Sequence, residues 1–322
     1  YTTRDRDVSL EGKFNLNMLS WLSSSTMPSA VVPEEEDLLP IPRRYFLNPS
    51  DVDENELKSS SSSSAAAAAD YLDASALLVG MWECADQVRS TSATAAPTTE
   101  QQVAALLEHV HGGLTTLDAA DHYGNSERII QHFLRQYGAD NIIEICTKFC
   151  PSPGPMTYEV VESAIQKSID NIFPESMLEA GKVIDVLHFH WWNWSDTRYV
   201  EALIHLSTLQ SKGMIKHISL TNFDAAHVRI VIASGLLVLW NQVHCSLLDN
   251  RSGGVMTRTC MSLSALQTEP CKLVVYGALA GGLLTDKWLD VQEPTQMTEE
   301  SNTWMECKYK RFIDAWGGWE LF

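Results

Sequence analysis

The chain has 322 residues, and 41 acidic against 23 basic side chains give it a formal charge of −18. Hydrophobic residues at 45% and charged residues at 20% describe a folded chain, long enough for one large α/β barrel or two ordinary domains. The acidic surplus repels phosphate, which excludes nucleic acid and anionic membrane as main partners.

The longest apolar stretch, 230–240, contains Ser234 and Gly235 and falls well short of the roughly 20 residues a membrane helix needs, so no membrane span is expected. Seven cysteines (Cys84, Cys146, Cys150, Cys245, Cys260, Cys271 and Cys307) are odd in number and have no CxxC spacing. That pattern predicts no disulfide framework and an intracellular reducing compartment, the cytoplasm first and a plastid second.

Residues 1–75 differ in texture from the rest. They carry an acidic cluster at 34–37, a proline-flanked Leu39-Pro40-Ile41-Pro42, six serines (Ser59–Ser64) and five alanines (Ala65–Ala69). Such tracts bury too little apolar surface to offset chain entropy, so 1–75 reads as a flexible low-complexity tail. Within it, Asn15 to Leu22 is apolar enough for a short helix or docking segment.

From residue 76 short apolar runs alternate with amphipathic ones. The runs Ala76–Val79, Thr115–Leu117, Ile142–Cys146, Val183–Phe189, Ile215–Leu220, Val238–Val243 and Lys272–Tyr276 predict strands. Helical periodicity marks 126–137, 158–172, 198–211, 225–233 and 254–266, several of them ending at glycine. Strand and helix alternating every ~25 to 40 residues specify parallel βαβ units. No GxGxxG or Walker loop follows a strand, so a (β/α)8 TIM barrel over 76–322 fits better than a doubly wound sheet. No eighth strand is legible, because 299–322 reads as helix or irregular structure; the barrel is predicted to be incomplete.

Catalytic groups of such barrels cluster where strands end. Those places hold Asp118 and Tyr123, then Thr147 and Lys148, then His188 and His190, then Thr221 and Asn222, with Gln242 and Tyr276 on the last two strands. An acid, a phenol, a lysine and a histidine on one rim make a general acid–base set. Singly, Asp118 also suits a turn cap, Tyr123 a half-buried aromatic and His190 a packed histidine. Lys148, at the end of an apolar strand, must be paired or exposed. Cys146 and Cys150 read as buried fillers, and no metal site is predicted.

Together these segments resemble the aldo/keto reductase superfamily. Asp118-x-Ala-x-x-Tyr123-Gly124 is similar to its Asp-x-Ala-x-x-Tyr-Gly signature, and Thr147-Lys148 to its strand-three lysine. Asp185-Val-Leu-His-Phe-His190-Trp191, Lys212 to Phe223, Asn241-Gln242-Val243 and Tyr276 to Leu283 follow in the family's order. Threonine stands at Thr221 where serine is usual.

The resemblance implies reduction of an aldehyde or ketone by a nicotinamide cofactor, NADP(H) with NAD(H) open, and a small-molecule carbonyl substrate. Tyr123 would be the general acid, supported by Lys148 and Asp118, with His190 orienting the carbonyl. The cofactor would meet Gly80, Met81, Thr221, Asn222, Gln242, Tyr276, Gly277, Leu279 and Gly281. Trp82, Trp191 and Trp192 would line the substrate pocket. An ammonium beside the phenol is expected to lower its pKa from near 10. The family's last strand and basic 2′-phosphate segment have no match here, so the chain reads as a truncated member. Two rivals stand beside this reading: a non-catalytic binding or scaffold protein, and a metal-dependent hydrolase using His188-x-His190. For the latter, the further candidates His217 and His244 do not fall at matching strand ends.

Overall fold

In the computed structural model the described residues are 43–45, 72–82, 97–139, 141–250, 252–262, 271–294 and 304–322. The predicted docking segment at 15–22 and the Ser/Ala tract at 59–69 lie outside them. Seven parallel strands form one sheet in chain order: β3 (Leu78–Gly80), β4 (Thr116–Asp118), β5 (Glu144–Phe149), β6 (Ile184–His190), β7 (Ile215–Thr221), β8 (Trp240–His244) and β9 (Lys272–Tyr276). The seven expected strands are all present. Most extend further toward the C-terminal end than their apolar runs. Backbone pairing, not hydropathy, ends a strand, and Asp118, Lys148, His190 and Thr221 all take part in the ladder.

Helices α1 (Thr99–His111), α2 (Ser126–Tyr137), α3 (Tyr158–Ile172), α4 (Glu175–Glu179), α5 (Arg198–Ser211), α6 (Ala225–Ala233) and α7 (Val255–Ser262) fill the crossovers. Helix α1 starts at a capping box in which Thr98 and Gln101 exchange side-chain and backbone bonds, satisfying two orphan donors. In α2, Ile129, Ile130, Phe133 and Leu134 face inward, and Gly138 ends the helix in the left-handed conformation that glycine adopts without strain. The outward sheet residues and these helices share one core running from Met81 to Cys271. Every residue of β6 is buried, as a central parallel strand requires. The architecture is α/β, and the described strands make an open parallel part-barrel with helices outside.

The inner face is closed at its lower end. There β1 (Arg43–Tyr45) and β2 (Asp73–Ser75) form an antiparallel pair, and Leu72 and Ala74 pack on Cys146, Val186 and Trp240. Ser75 exchanges bonds with Thr116: each backbone N–H donates to the other's hydroxyl, at 2.8 and 3.2 Å. The packed unit thus includes Leu72–Ser75, inside the stretch read as tail. Among the described residues no strand pairs with the outer edges of β3 and β9, and Val275 on β9 is 52% exposed. Helix α8 (Trp304–Trp316) supplies no strand; Tyr309 and Ile313 instead pack on Ala280 and Leu283 beyond β9.

At the start of the central strands, Asp185 accepts from the Ile145 backbone N–H at 2.8 Å and pairs with Lys216 at 2.5 Å. Glu144 lies against it. Burial and the neighbouring Asp185 carboxylate push the Glu144 carboxyl up to about 8, against partial relief from Lys216. A carboxyl that holds its proton better when folded carries stability at acid pH that is lost as pH rises from about 4.5 to about 8. Glu144→Gln should therefore melt higher than the parent at pH 8.5 and show little gain at pH 5. Parallel melting curves at both values would refute this assignment.

Candidate active site

Register places the polar strand ends side by side. Gly80 is level with Asp118 and Cys146, Lys148 with His188, and His190 with Thr221 and Gln242. Because strand side chains alternate, Cys146, Lys148, His188, His190 and Gln242 all point to the inner face. The β4 loop is pinned to β5 by Ala119 N–H to the Cys146 carbonyl, 2.9 Å, and Asp121 N–H to the Lys148 carbonyl, 3.1 Å. That pinning brings Tyr123 over the lysine.

Lys148 is 1% exposed, and its ammonium donates to Asp118 Oδ1 at 2.5 Å and to the Ala119 carbonyl at 2.9 Å. Gln242 Nε2 holds the other Asp118 oxygen at 2.9 Å. Burial disfavours both charges, but their mutual attraction outweighs it: the Asp118 carboxyl lies below its ordinary value and the Lys148 ammonium above. The ammonium sits 4.8 Å from the centre of the Tyr123 ring.

Burial is the largest influence on the Tyr123 phenol and raises it to about 12, although Lys148 pulls it down. The sequence-based expectation of a lowered phenol pKa has the sign of the lysine's effect right and omits the larger effect of burial. Tyr123 is a neutral donor throughout the physiological range.

His190 is a neutral imidazole, held down to about 3 chiefly by burial, with His122 and the Lys148 ammonium beside it adding to the effect. An amide NH2 can only donate, so Asn222 Nδ2 donates to His190 Nε2 at 3.3 Å, while the Tyr276 hydroxyl donates to Asn222 Oδ1 at 3.0 Å. Asn222 holds a left-handed backbone, φ 60°, fixed by its N–H bond to the Gln242 carbonyl at 2.8 Å. His188 is fully buried: Trp240 Nε1 donates to its Nε2 at 3.0 Å, leaving Nδ1–H to donate to Thr221 Oγ1 at 3.2 Å. Both its nitrogens are engaged, which removes the paired-histidine metal reading of 188 and 190.

A cavity of about 810 Å³ opens over these groups, within the size range of small-molecule and cofactor sites. Asp118, Tyr123, His190, Thr221, Asn222, Gln242, Tyr276, Gly277, Gly80, Trp82, Trp191 and Trp192 line it. Trp82 stands edge-on to Tyr123 at 4.7 Å, and Trp192 lies over His190 at 3.9 Å. Four candidates are not on its wall. Lys148 lies beneath it, 1% exposed. Met81 is wholly buried in the core, Leu279 is 58% exposed, and Gly281 packs under α8, where a Cβ would strike Met305 and Tyr309. Trp191 is mainly structural, its indole N–H donating to the Asn193 carbonyl at 2.7 Å. Of the expected pyrophosphate run, Gly277 lines the cavity.

Sequence reasoning missed several lining residues. His122, Cys150, Ser152, Asn193 and Asp196 come from βα loops, and Met305 and Lys308 from α8. His122 sits inside the Asp118-to-Gly124 motif, beside Tyr123, and Cys150 lies two residues past Lys148. Nothing in the sequence signals Met305 or Lys308, because α8 reaches the pocket by packing on the segment after β9.

A sequence model of the Aldo/keto reductase family matches residues 76–315. The NADH-specific methylglyoxal reductase of Escherichia coli (strain K12) is 27% identical over 195 residues, covering 56% of this chain and 57% of that protein. The chain thus spans little more than half the length of that curated relative. Among solved structures, an aldo/keto reductase from Klebsiella pneumoniae in complex with NADP and acetate superposes with a TM-score of 0.54 at 20% identity, over 69% of this chain and 70% of that one. One from Brucella melitensis gives 0.51 at 20% identity, over 67% and 72%. These structures share the fold, and with the sequence match over most of the barrel the conclusion is direct: the chain belongs to the aldo/keto reductase family.

Proposed function

We propose that the chain reduces an aldehyde or ketone to the alcohol, with Tyr123 delivering the proton. The observation that carries this is the buried Asp118–Lys148 pair holding an ammonium 4.8 Å from the Tyr123 ring at the floor of the cavity. When bound, a reduced nicotinamide supplies the hydride, which none of these side chains can. The donor set suits one: Thr221, Asn222 and Gln242 offer hydroxyl and amide groups beside the Tyr276 ring, and Gly277 keeps the floor open at a point where a Cβ would meet Tyr309 and His244.

The rest follows from this chain's groups. As the carbonyl becomes an alkoxide, its oxygen grows more basic than a phenolate, so the Tyr123 proton moves to it even from a pKa of about 12. Lys148 then stabilises the phenolate left behind, and Asp118 with Gln242 keeps the lysine in place. His190, neutral, can present an N–H to the carbonyl oxygen once Asn222 releases Nε2 and the ring proton shifts there from Nδ1. Trp82, Trp192 and His122 wall off water on the open side.

The apolar wall favours a small or aromatic carbonyl, and the Escherichia coli relative's name makes methylglyoxal the first substrate to try. That relative is NADH-specific, whereas the Klebsiella pneumoniae structure holds NADP. Lys308, on the cavity wall and pulled below its ordinary value by burial, would regain a favourable setting beside a cofactor phosphate. Carbonyl-dependent oxidation of NADPH and of NADH, run with methylglyoxal and a benzaldehyde series, tests the reading. Turnover with neither cofactor, together with no quenching of tryptophan fluorescence by either, would leave the scaffold reading in its place.

A further inference from the structure

We propose that His122, Cys150 and His190 form a site for a thiophilic divalent cation, zinc foremost, whose occupation closes the pocket to the carbonyl. One ligand atom from each lies within 4.8 Å of the others, and Cys150 Sγ is 3.9 Å from His122 Nε2. A tetrahedral zinc with bonds of about 2.0–2.1 Å to nitrogen and 2.3 Å to sulfur needs ligand atoms about 3.3–3.8 Å apart. The contraction required is up to about 1.5 Å, and His190 must exchange its long 3.3 Å bond from Asn222 Nδ2 for the metal. His122 and Cys150, both half-buried on loops, can supply the contraction.

One carboxylate aims two of the three ligands. Asp121 Oδ1 lies 2.9 Å from His122 Nδ1, which fixes the ring proton there and turns the Nε2 lone pair toward the thiol. Asp121 Oδ2 accepts the Cys150 backbone N–H at 2.9 Å. This is the outer-shell arrangement that raises the basicity of a ligating histidine and sets its orientation. Packing alone would bury a histidine and a cysteine without giving them a shared carboxylate.

The donor set selects the ion. Two imidazoles and a thiolate suit zinc and disfavour magnesium or calcium, which take oxygen ligands. On binding, the Cys150 S–H bond breaks, its proton leaves to solvent, a metal–sulfur bond forms and no electron changes hands. Of the charges nearby, the Lys148 ammonium is neutralised by Asp118, and Asp121 adds negative charge beside the ligands. Three protein ligands leave a fourth position facing the cavity for water. Bound to metal, His190 cannot orient a carbonyl, so metal and substrate exclude each other. That last clause rests on the reductase reading; the binding site does not.

Cobalt(II) is the probe, titrated into the reduced, metal-free full chain. One equivalent should produce a thiolate-to-cobalt charge-transfer band and tetrahedral d–d absorption, both displaced by zinc. Cys150→Ser should abolish the charge-transfer band. His122→Ala, which leaves the thiol intact, should weaken zinc at least tenfold in chelator competition, and Asp121→Asn about tenfold. Circular dichroism melts check that each variant folds. No charge-transfer band in the parent chain, or His122→Ala binding zinc as tightly as the parent, overturns the site. In an active preparation, zinc should inhibit competitively against the carbonyl and be reversed by chelator; inhibition independent of carbonyl concentration would overturn the exclusion while the cobalt data still decide the site.

Discussion

Tyr123→Phe should lower carbonyl turnover by about 10²–10⁴-fold, the usual contribution of a positioned general acid, while cofactor affinity stays nearly unchanged. The substitution removes one hydroxyl and retains the ring, so the edge contact with Trp82 at 4.7 Å and the cation–π contact with Lys148 at 4.8 Å both persist. What disappears is the proton source above the ammonium. Because burial keeps the phenol protonated to about 12, the parent rate should show no alkaline loss attributable to Tyr123 between pH 6 and 9. The measurement is kcat for methylglyoxal or benzaldehyde beside a fluorescence titration of NADPH. Full turnover in the phenylalanine variant would mean the proton comes from elsewhere. His190, a neutral imidazole, would then be the next group to test.

The sequence made the barrel and the rim legible for separate reasons. Parallel strands buried on both faces are short apolar runs, and 184–190 is wholly buried as such a run predicts. The rim was legible because Asp118, Lys148, His190 and Gln242 lie at neighbouring strand ends, so register alone assembles them. Two things escaped. The hairpin of β1 and β2 joins residues about thirty apart across the Ser/Ala tract, and three-residue strands carry no periodicity to read. The segment after Tyr276 was read by motif as one continuous phosphate-binding run. The structure sets its residues in different surroundings: Gly281 packs against Met305 and Tyr309, and Leu279 is exposed.

The sign of the Tyr123 shift escaped for a related reason. A neighbouring lysine can be inferred from strand order, but the depth of a side chain cannot, and depth dominates here. His122 and Cys150 show the same limit. They are 28 residues apart in sequence, and the fold pairs them through their bonds to Asp121 and a direct Sγ to Nε2 approach of 3.9 Å.

Asp118→Asn should destabilise the fold by about 3–5 kcal/mol, because it strands a buried ammonium. Lys148 is 1% exposed and would keep the Ala119 carbonyl, the Tyr123 side chain and a neutral amide, none of them an anion. Lys148→Met should cost less. The carboxyl it leaves can take up a proton, retains the Gln242 amide at 2.9 Å, and gains an apolar neighbour of similar volume. The double variant Asp118→Asn/Lys148→Met leaves no buried charge at all, so it should recover most of the loss while remaining without reductase activity. Urea unfolding of the four chains closes a double-mutant cycle, with an expected coupling of at least ~2 kcal/mol. Additive single effects would mean that water reaches the lysine and screens its charge. The pair would then contribute little to stability, and Lys148 could not act on Tyr123 through the dry, low-dielectric contact on which proton delivery depends.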